Sequence, residues 1–197
     1  SLGVFQKKFE DPIESVILAS AESDLTSFDN AEAADNFGVE FELYKTLGFL
    51  DQLWGWGPVW EKFYVNTNYA WIDSEITLAE DNSNIQTSSQ RPLQGQSPYV
   101  LNFQVGYDNA DRDINAALLY NVFGERIVDV GVNGAPDIYE QPRPSLDFIY
   151  SQGFGQWKLK AKLKNILDPE IELTQGAETT QSTRIGRELS IAVEYEF

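Results

Sequence analysis

Ser190-Ile-Ala-Val-Glu-Tyr-Glu-Phe197 decides the fold. Ile191, Val193, Tyr195 and Phe197 are apolar, and Ser190, Ala192, Glu194 and Glu196 between them are polar or small. This period of two is the pattern of a strand with one apolar and one wet face. The strand runs to an aromatic residue. The ends of water-soluble sheets are normally frayed and polar. A strand with lipid on one side and water on the other has reason to keep its pattern to the last residue.

The same alternation recurs upstream. It runs through Phe37, Val39, Phe41 and Leu43, then Phe63, Val65, Thr67, Tyr69 and Trp71. It continues through Leu101 to Tyr107, Ile114 to Val122, Leu146 to Tyr150 and Trp157 to Leu163. With less regular segments at Leu2 to Phe9 and Ile13 to Ala21, the reading gives about nine strands. The expected fold class is all-β, an antiparallel up-and-down transmembrane barrel. Leu101, Phe103, Val105, Leu118, Tyr120, Leu189, Ile191 and Val193 would face lipid. Asn102, Gln104, Asn121, Lys160, Lys162 and Glu194 would face the lumen.

Two features favour a barrel over a soluble sandwich, whose outer faces are also polar. Tyr and Trp collect toward strand ends, where an apolar band meets water. Long polar stretches, Glu22 to Asn36, Asp73 to Pro98, Gly124 to Pro144 and Leu167 to Arg187, alternate with short turns. Leu47 to Pro58, containing Trp54-Gly-Trp56-Gly, breaks that rule and reads as an aromatic foot at the inner interface.

Composition narrows the function. The 197 residues carry a formal net charge of -17, which argues against nucleic acid as a partner. With no His and no Cys, a Ser/His/Asp triad or a cysteine nucleophile is impossible. The expectation is no catalytic residue, no metal site and no cofactor. The acidic stretches read as solvated loops rather than calcium loops, whose ligand spacing they lack. No run of about 20 apolar residues is present, so no helix is expected to span a bilayer. The slightly negative mean hydropathy is what a half-wet barrel gives. The chain has no Met, so it reads as a piece of a longer polypeptide.

Several motifs resemble the C-terminal part of the barrel of TonB-dependent outer-membrane receptors. Asp11-Pro-Ile-Glu14 resembles the family's periplasmic turn. Asp29-Asn-Ala-Glu32 leading to Phe37-Gly-Val-Glu40 resembles a passage into a later strand. Arg91-Pro-Leu-Gln-Gly-Gln-Ser-Pro98, Leu119 to Arg126, Pro136 to Pro142 and Lys164-Asn-Ile-Leu-Asp-Pro169 follow in the family's order. Ser190, Ala192, Tyr195 and Phe197 resemble the terminal signal read by the barrel-assembly machinery, with Ala192 where that signal usually has Gly.

The resemblance implies a Gram-negative outer-membrane protein. It would be an active transporter that binds a scarce nutrient and imports it with TonB-delivered energy. Such barrels close at about 22 strands around a plug. This chain would then pair with the rest of its own barrel, with lipid outside, and an N-terminal region would reach the TonB complex. Alternatives are a passive or structural barrel and a soluble β-sandwich binding module. An odd strand count would put the two chain ends on opposite sides of the membrane.

Ligand contacts are expected in the long loops. The candidates are Arg91, Tyr139, Gln141 and Arg143, with Asn82, Asn84, Gln86, Gln90 and Asn133 beside them. Lys158, Lys160, Lys162 and Lys164 form a stripe on one face. Cross-strand pairing with Glu188, Glu194, Glu196 and Asp147 is favoured over an anion path for these lysines.

Overall fold

The computed structural model describes residues 1–18, 25–55, 58–78 and 85–196. Its strands are β1 (Leu2–Glu10), β2 (Ile13–Leu18), β3 (Leu25–Asn30), β4 (Ala33–Thr46), β5 (Phe63–Thr77), β6 (Gln90–Arg91), β7 (Tyr99–Asn109) and β8 (Ile114–Phe123). They continue with β9 (Arg126–Asp129), β10 (Ile138–Glu140), β11 (Ser145–Phe154), β12 (Trp157–Lys164), β13 (Ile171–Gln175), β14 (Glu178–Thr183) and β15 (Glu188–Tyr195). The short helix α1 spans Phe49–Trp54. Among the described residues no helix is long and apolar enough to cross a membrane.

The main sheet has nine strands, and its continuous path is β1-β4-β5-β7-β8-β11-β12-β15. Every pairing along that path is antiparallel. β6 adds to β5 beyond the wall. The nine are therefore not the nine expected. The Ile13 to Ala21 segment supplies β2, which pairs only with β3 in a separate hairpin. The break falls at Asp11-Pro12, where Asp11 takes a positive φ of 49 and proline removes a ladder donor. The Ala31 N–H on the Pro12 carbonyl, at 2.8 Å, closes the hairpin's neck.

With eight wall strands, Leu2 and Tyr195 lie at the same end of the sheet, which corrects the expectation of opposite ends. That turn end holds the connections 47–62, 110–113 and 155–156. The loop end holds the described parts of 11–32 and 78–98, together with 124–144 and 165–187. Asp11-Pro-Ile-Glu14, expected at a periplasmic turn, sits at the loop end, because β1 enters the wall from the turn end and leaves it there.

Register divides the wall into two faces. Phe41, Tyr69, Leu101 and Val122 lie side by side, as do Tyr150, Ala161 and Ile191. On the other face Glu42, Asn68, Asn102, Asn121 and Ser145 form one row. Lys158, Lys160, Lys162 and Lys164 share that polar face with Glu194 and Glu188. Aromatic pairs rim the apolar face. Phe37 and Trp71 are 6.1 Å apart near the loop end; Phe63–Tyr107 (5.0 Å) and Trp157–Tyr195 (4.7 Å) lie at the turn end.

On the polar face, Tyr64 lies over Gly106 and Phe5 over Gly38, so a side chain at either glycine would collide with a ring. The missing Cβ is what lets each aromatic lie flat across the neighbouring strand. The wall is exposed on its apolar face, with Leu189 at 66% and Ile191 at 64%. A buried apolar cluster lies at the loop end, where Ala31, Ala34, Ile76 and Leu78 pack together with Leu93 against them. β1 and β15 have no second partner among the described residues, so the barrel is open.

Candidate functional site

The loop end is built as a layer. β14, β13, β10 and β9 form a four-stranded sheet that joins the 124–144 and 165–187 connections. These stretches were expected to be polar loops. Their strands are three to six residues long, too short to show a sustained alternating apolar face, and β13 and β14 are rich in Thr, Gln and Glu.

Backbone bonds tie the remaining connections in. Thr87 donates to the Gly131 carbonyl at 2.9 Å, Asn133 to Ile85 at 3.0 Å and Gly95 to Ile127 at 2.8 Å. The Gln86 side-chain amide donates to the Ser15 carbonyl at 3.0 Å, reaching the β2–β3 hairpin.

Glu140 is the charged centre of this layer. Its Oε2 accepts Arg126 Nε at 2.9 Å and Nη2 at 2.7 Å, and its Oε1 accepts Arg143 Nε at 3.2 Å. Both guanidinium groups lie over the Phe123 ring, at 4.5 and 5.6 Å from its centroid. Burial alone would push the Glu140 carboxyl up. The hydrogen bonds and charges of the two arginines outweigh it and hold the group below its ordinary value. The adjacent Tyr139 phenol is pushed up, first by burial and then by the negative charges of Asp137 and Glu125, with Arg91 opposing.

Tyr139 lines a cleft of about 250 Å³ with Asp73, Ser74, Gln96, Glu125 and Arg126. The cleft lies where the loop layer meets the top of β5. It offers a phenol, a guanidinium and carboxylates to a polar ligand.

The expected ligand residues do not converge on one point. Tyr139 faces the cleft. Arg143 is bound to Glu140. The Gln141 amide donates to the Thr174 hydroxyl at 2.8 Å, across the β10–β13 seam. The Arg91 side chain is 2% exposed, 3.7 Å from the Glu14 carboxylate. Sequence reasoning missed Arg126, Glu140 and Glu14. The opposite charges at Glu140 and Arg143, three residues apart, were the only local hint. Asn82 and Asn84 lie outside the described residues, as do Trp56, Gly57 and Phe197.

On the polar face of the wall, a shallow hollow of about 230 Å³ is lined by Asn66, Asn68, Asn102, Gln104, Asn121 and Asp147, among others. The lysine stripe beside it is mostly paired. Lys160 meets Glu194 at 2.6 Å, Lys164 meets Glu188 at 3.5 Å and Lys158 meets Asp113 at 3.8 Å. Asp147, one expected partner, accepts the Asn165 backbone N–H at 2.8 Å instead.

The family model described as TonB dependent receptor-like, beta-barrel, matches residues 1–166. No curated protein matches the chain. Solved structures with the same fold include the FrpB iron transporter from Neisseria meningitidis, F3-3 variant, at TM-score 0.66 and 10% identity. The copper transporter OprC follows at 0.62 and 18%, and the ferric yersiniabactin uptake receptor FyuA from Yersinia pestis at 0.58 and 15%. Each match covers 100% of this chain, but the chain spans only 27%, 28% and 34% of those three structures.

Proposed function

Because the chain belongs to the TonB-dependent receptor β-barrel family, whose members lie in the Gram-negative outer membrane, we propose that it is the C-terminal part of an active nutrient transporter. The family and the structural neighbours are transporters and receptors rather than enzymes. The observation that carries the proposal is the open eight-strand wall, with unpaired edges at β1 and β15 and all four long connections tied together at one end. An unpaired edge is untenable in lipid, so further strands of the same barrel must close it.

In this reading the apolar face meets lipid. The polar face, with Lys158, Lys160, Lys162, Lys164 and Glu194, lines the lumen against a plug. The loop layer is extracellular and receives the ligand, with Tyr139, Arg91, Gln141 and Arg143 in or beneath the receiving surface. A scarce metal complex fits the neighbours, two of which are an iron and a copper transporter. Ser190, Ala192, Tyr195 and Phe197 form the signal for barrel assembly, and TonB supplies the energy through an N-terminal region.

The experiment compares two behaviours of the full-length protein. In cells, uptake of radiolabelled iron presented as a panel of ferric siderophores, and of copper, is measured with and without TonB. In liposomes, swelling in arabinose is measured. Uptake that needs TonB, with no swelling, supports the proposal. Swelling without any TonB-dependent uptake would show a passive pore and overturn it.

A further inference from the structure

One segment of the turn end differs from the others in length and composition. The connections 110–113 and 155–156 are short and polar, Ala110-Asp-Arg-Asp113 and Gly155-Gln156. The connection 47–62 instead carries Phe49, Leu50, Leu53, Trp54, Trp56, Val59 and Trp60.

The described residues of this segment, 47–55 and 58–62, are held by specific backbone bonds. α1 ends at Gly55, whose positive φ of 65 lets its N–H return to the Asp51 carbonyl. The Asp51 carboxylate accepts the backbone N–H groups of Val59, Trp60 and Glu61 at 3.1 to 3.2 Å. That folds the 60–62 turn back beside the helix and fixes which residues point outward. Leu53 is 69% exposed, Val59 50% and Phe49 46%.

Two contacts place the segment on the apolar side of the wall. The Trp60 ring lies 5.5 Å from Phe63, which in turn lies 5.0 Å from Tyr107 in the turn-end aromatic rim. Lys45, whose register partner is Val65 of the apolar face, holds its ammonium 5.7 Å from the Phe49 ring centroid. The exposed apolar surface of α1 is thereby continuous with the lipid-facing band.

We propose that the described residues of this connection, 47–55 and 58–62, form an aromatic foot that inserts into the lipid interface of the periplasmic leaflet. Trp and other aromatic side chains favour that depth, and a flanking lysine reaches from it to the phosphates. The proposal rests on the barrel orientation given above. A periplasmic protein covering the same surface is the competing occupant, and continuity with the aromatic rim favours lipid.

The test uses the full-length protein in nanodiscs of phosphatidylethanolamine and phosphatidylglycerol. This chain contains no Cys, so a nitroxide label can be placed within it at Leu53→Cys, Val59→Cys, Arg112→Cys or Leu118→Cys, one at a time. All but Leu118 lie in turn-end connections, and Leu118 reports the apolar wall. Collision with oxygen, which concentrates in lipid, is compared with collision with a water-soluble nickel chelate. The expected oxygen-to-nickel ratio at Leu53 and Val59 is several-fold above that at Arg112 and approaches that at Leu118. A Leu53 label as open to nickel as Arg112 would overturn the foot and leave the barrel standing. So would one shielded from both reagents, which would indicate a protein cover. An aqueous Leu118 would overturn the barrel orientation and the foot with it.

Discussion

Arg126 and Glu140 face each other across the β9–β10 ladder and meet through two nitrogens on one oxygen, at 2.9 and 2.7 Å. The pair sits at the seam of the loop layer, since Glu140 also registers with Leu173 of β13. Glu140→Ala would leave Arg126 and Arg143 facing each other over Phe123. Both guanidinium groups are partly exposed, so water would screen them. A loss of about 1–2 kcal/mol of local stability is expected. Hydrogen exchange should accelerate in 126–140 and 171–175 while the wall strands stay protected. Unchanged protection in the loops would show that the pair contributes nothing.

Acid should act through the same group. The folded Glu140 carboxyl lies below its ordinary value, so its contribution is fully present above the unfolded value of about 4.3. It is lost as pH falls through the lower folded value. Loop-layer exchange should therefore rise on acidification below about pH 4. Glu140→Gln should remove the Glu140 part of that step in 126–140 and leave the dependence at Glu170, whose carboxyl Arg184 also holds below its ordinary value.

The two faces can be separated with neighbouring residues. Leu118 faces the apolar side of β8 and Leu119 the polar side. Leu118→Arg should cost about 2–4 kcal/mol in a bilayer, and Leu119→Arg far less. Urea unfolding midpoints of the full-length protein in vesicles give the comparison. Equal midpoints for the two variants would count against the face assignment.

Gly106→Val would drive a side chain into the Tyr64 ring. Overpacking of this kind costs about 1–3 kcal/mol. Adding Tyr64→Ala should restore part of the loss, because it clears the space even though it removes the ring's 2.9 Å bond from Gln104. The shift of folded to unfolded bands on heating in detergent reports it. A double variant no better than Gly106→Val would place the strain elsewhere.

Removing Tyr195 to Phe197 should abolish surface assembly of the full-length protein. Tyr195 packs against Trp157 at a tilt of 57° and its hydroxyl donates to the Gln156 amide oxygen at 2.8 Å. Tyr195→Ala alone should lower surface levels less than the truncation does. Normal levels after the truncation would remove the signal role from these residues.

The wall was legible because strand alternation is a local property. Leu101-Asn102-Phe103-Gln104 states its two faces without reference to any neighbour, and so does Ile191 to Glu194. The sequence alone therefore determined the all-β class and the two faces of the wall strands. It did not determine which segments pair. Ile13 to Leu18 has strand propensity, yet only the ladder from Leu2↔Phe41 to Glu10↔Ala33 excludes it from the wall and sets the strand path to eight.

The loop layer was illegible for a related reason. Its order comes from contacts between distant segments, such as the Glu14–Arg91 ion pair and the Gln141–Thr174 hydrogen bond. Polar residues that solvate a loop and polar residues that stitch two loops together have the same composition. Only tertiary structure, by bringing a specific donor to a specific acceptor out of water, decides between them.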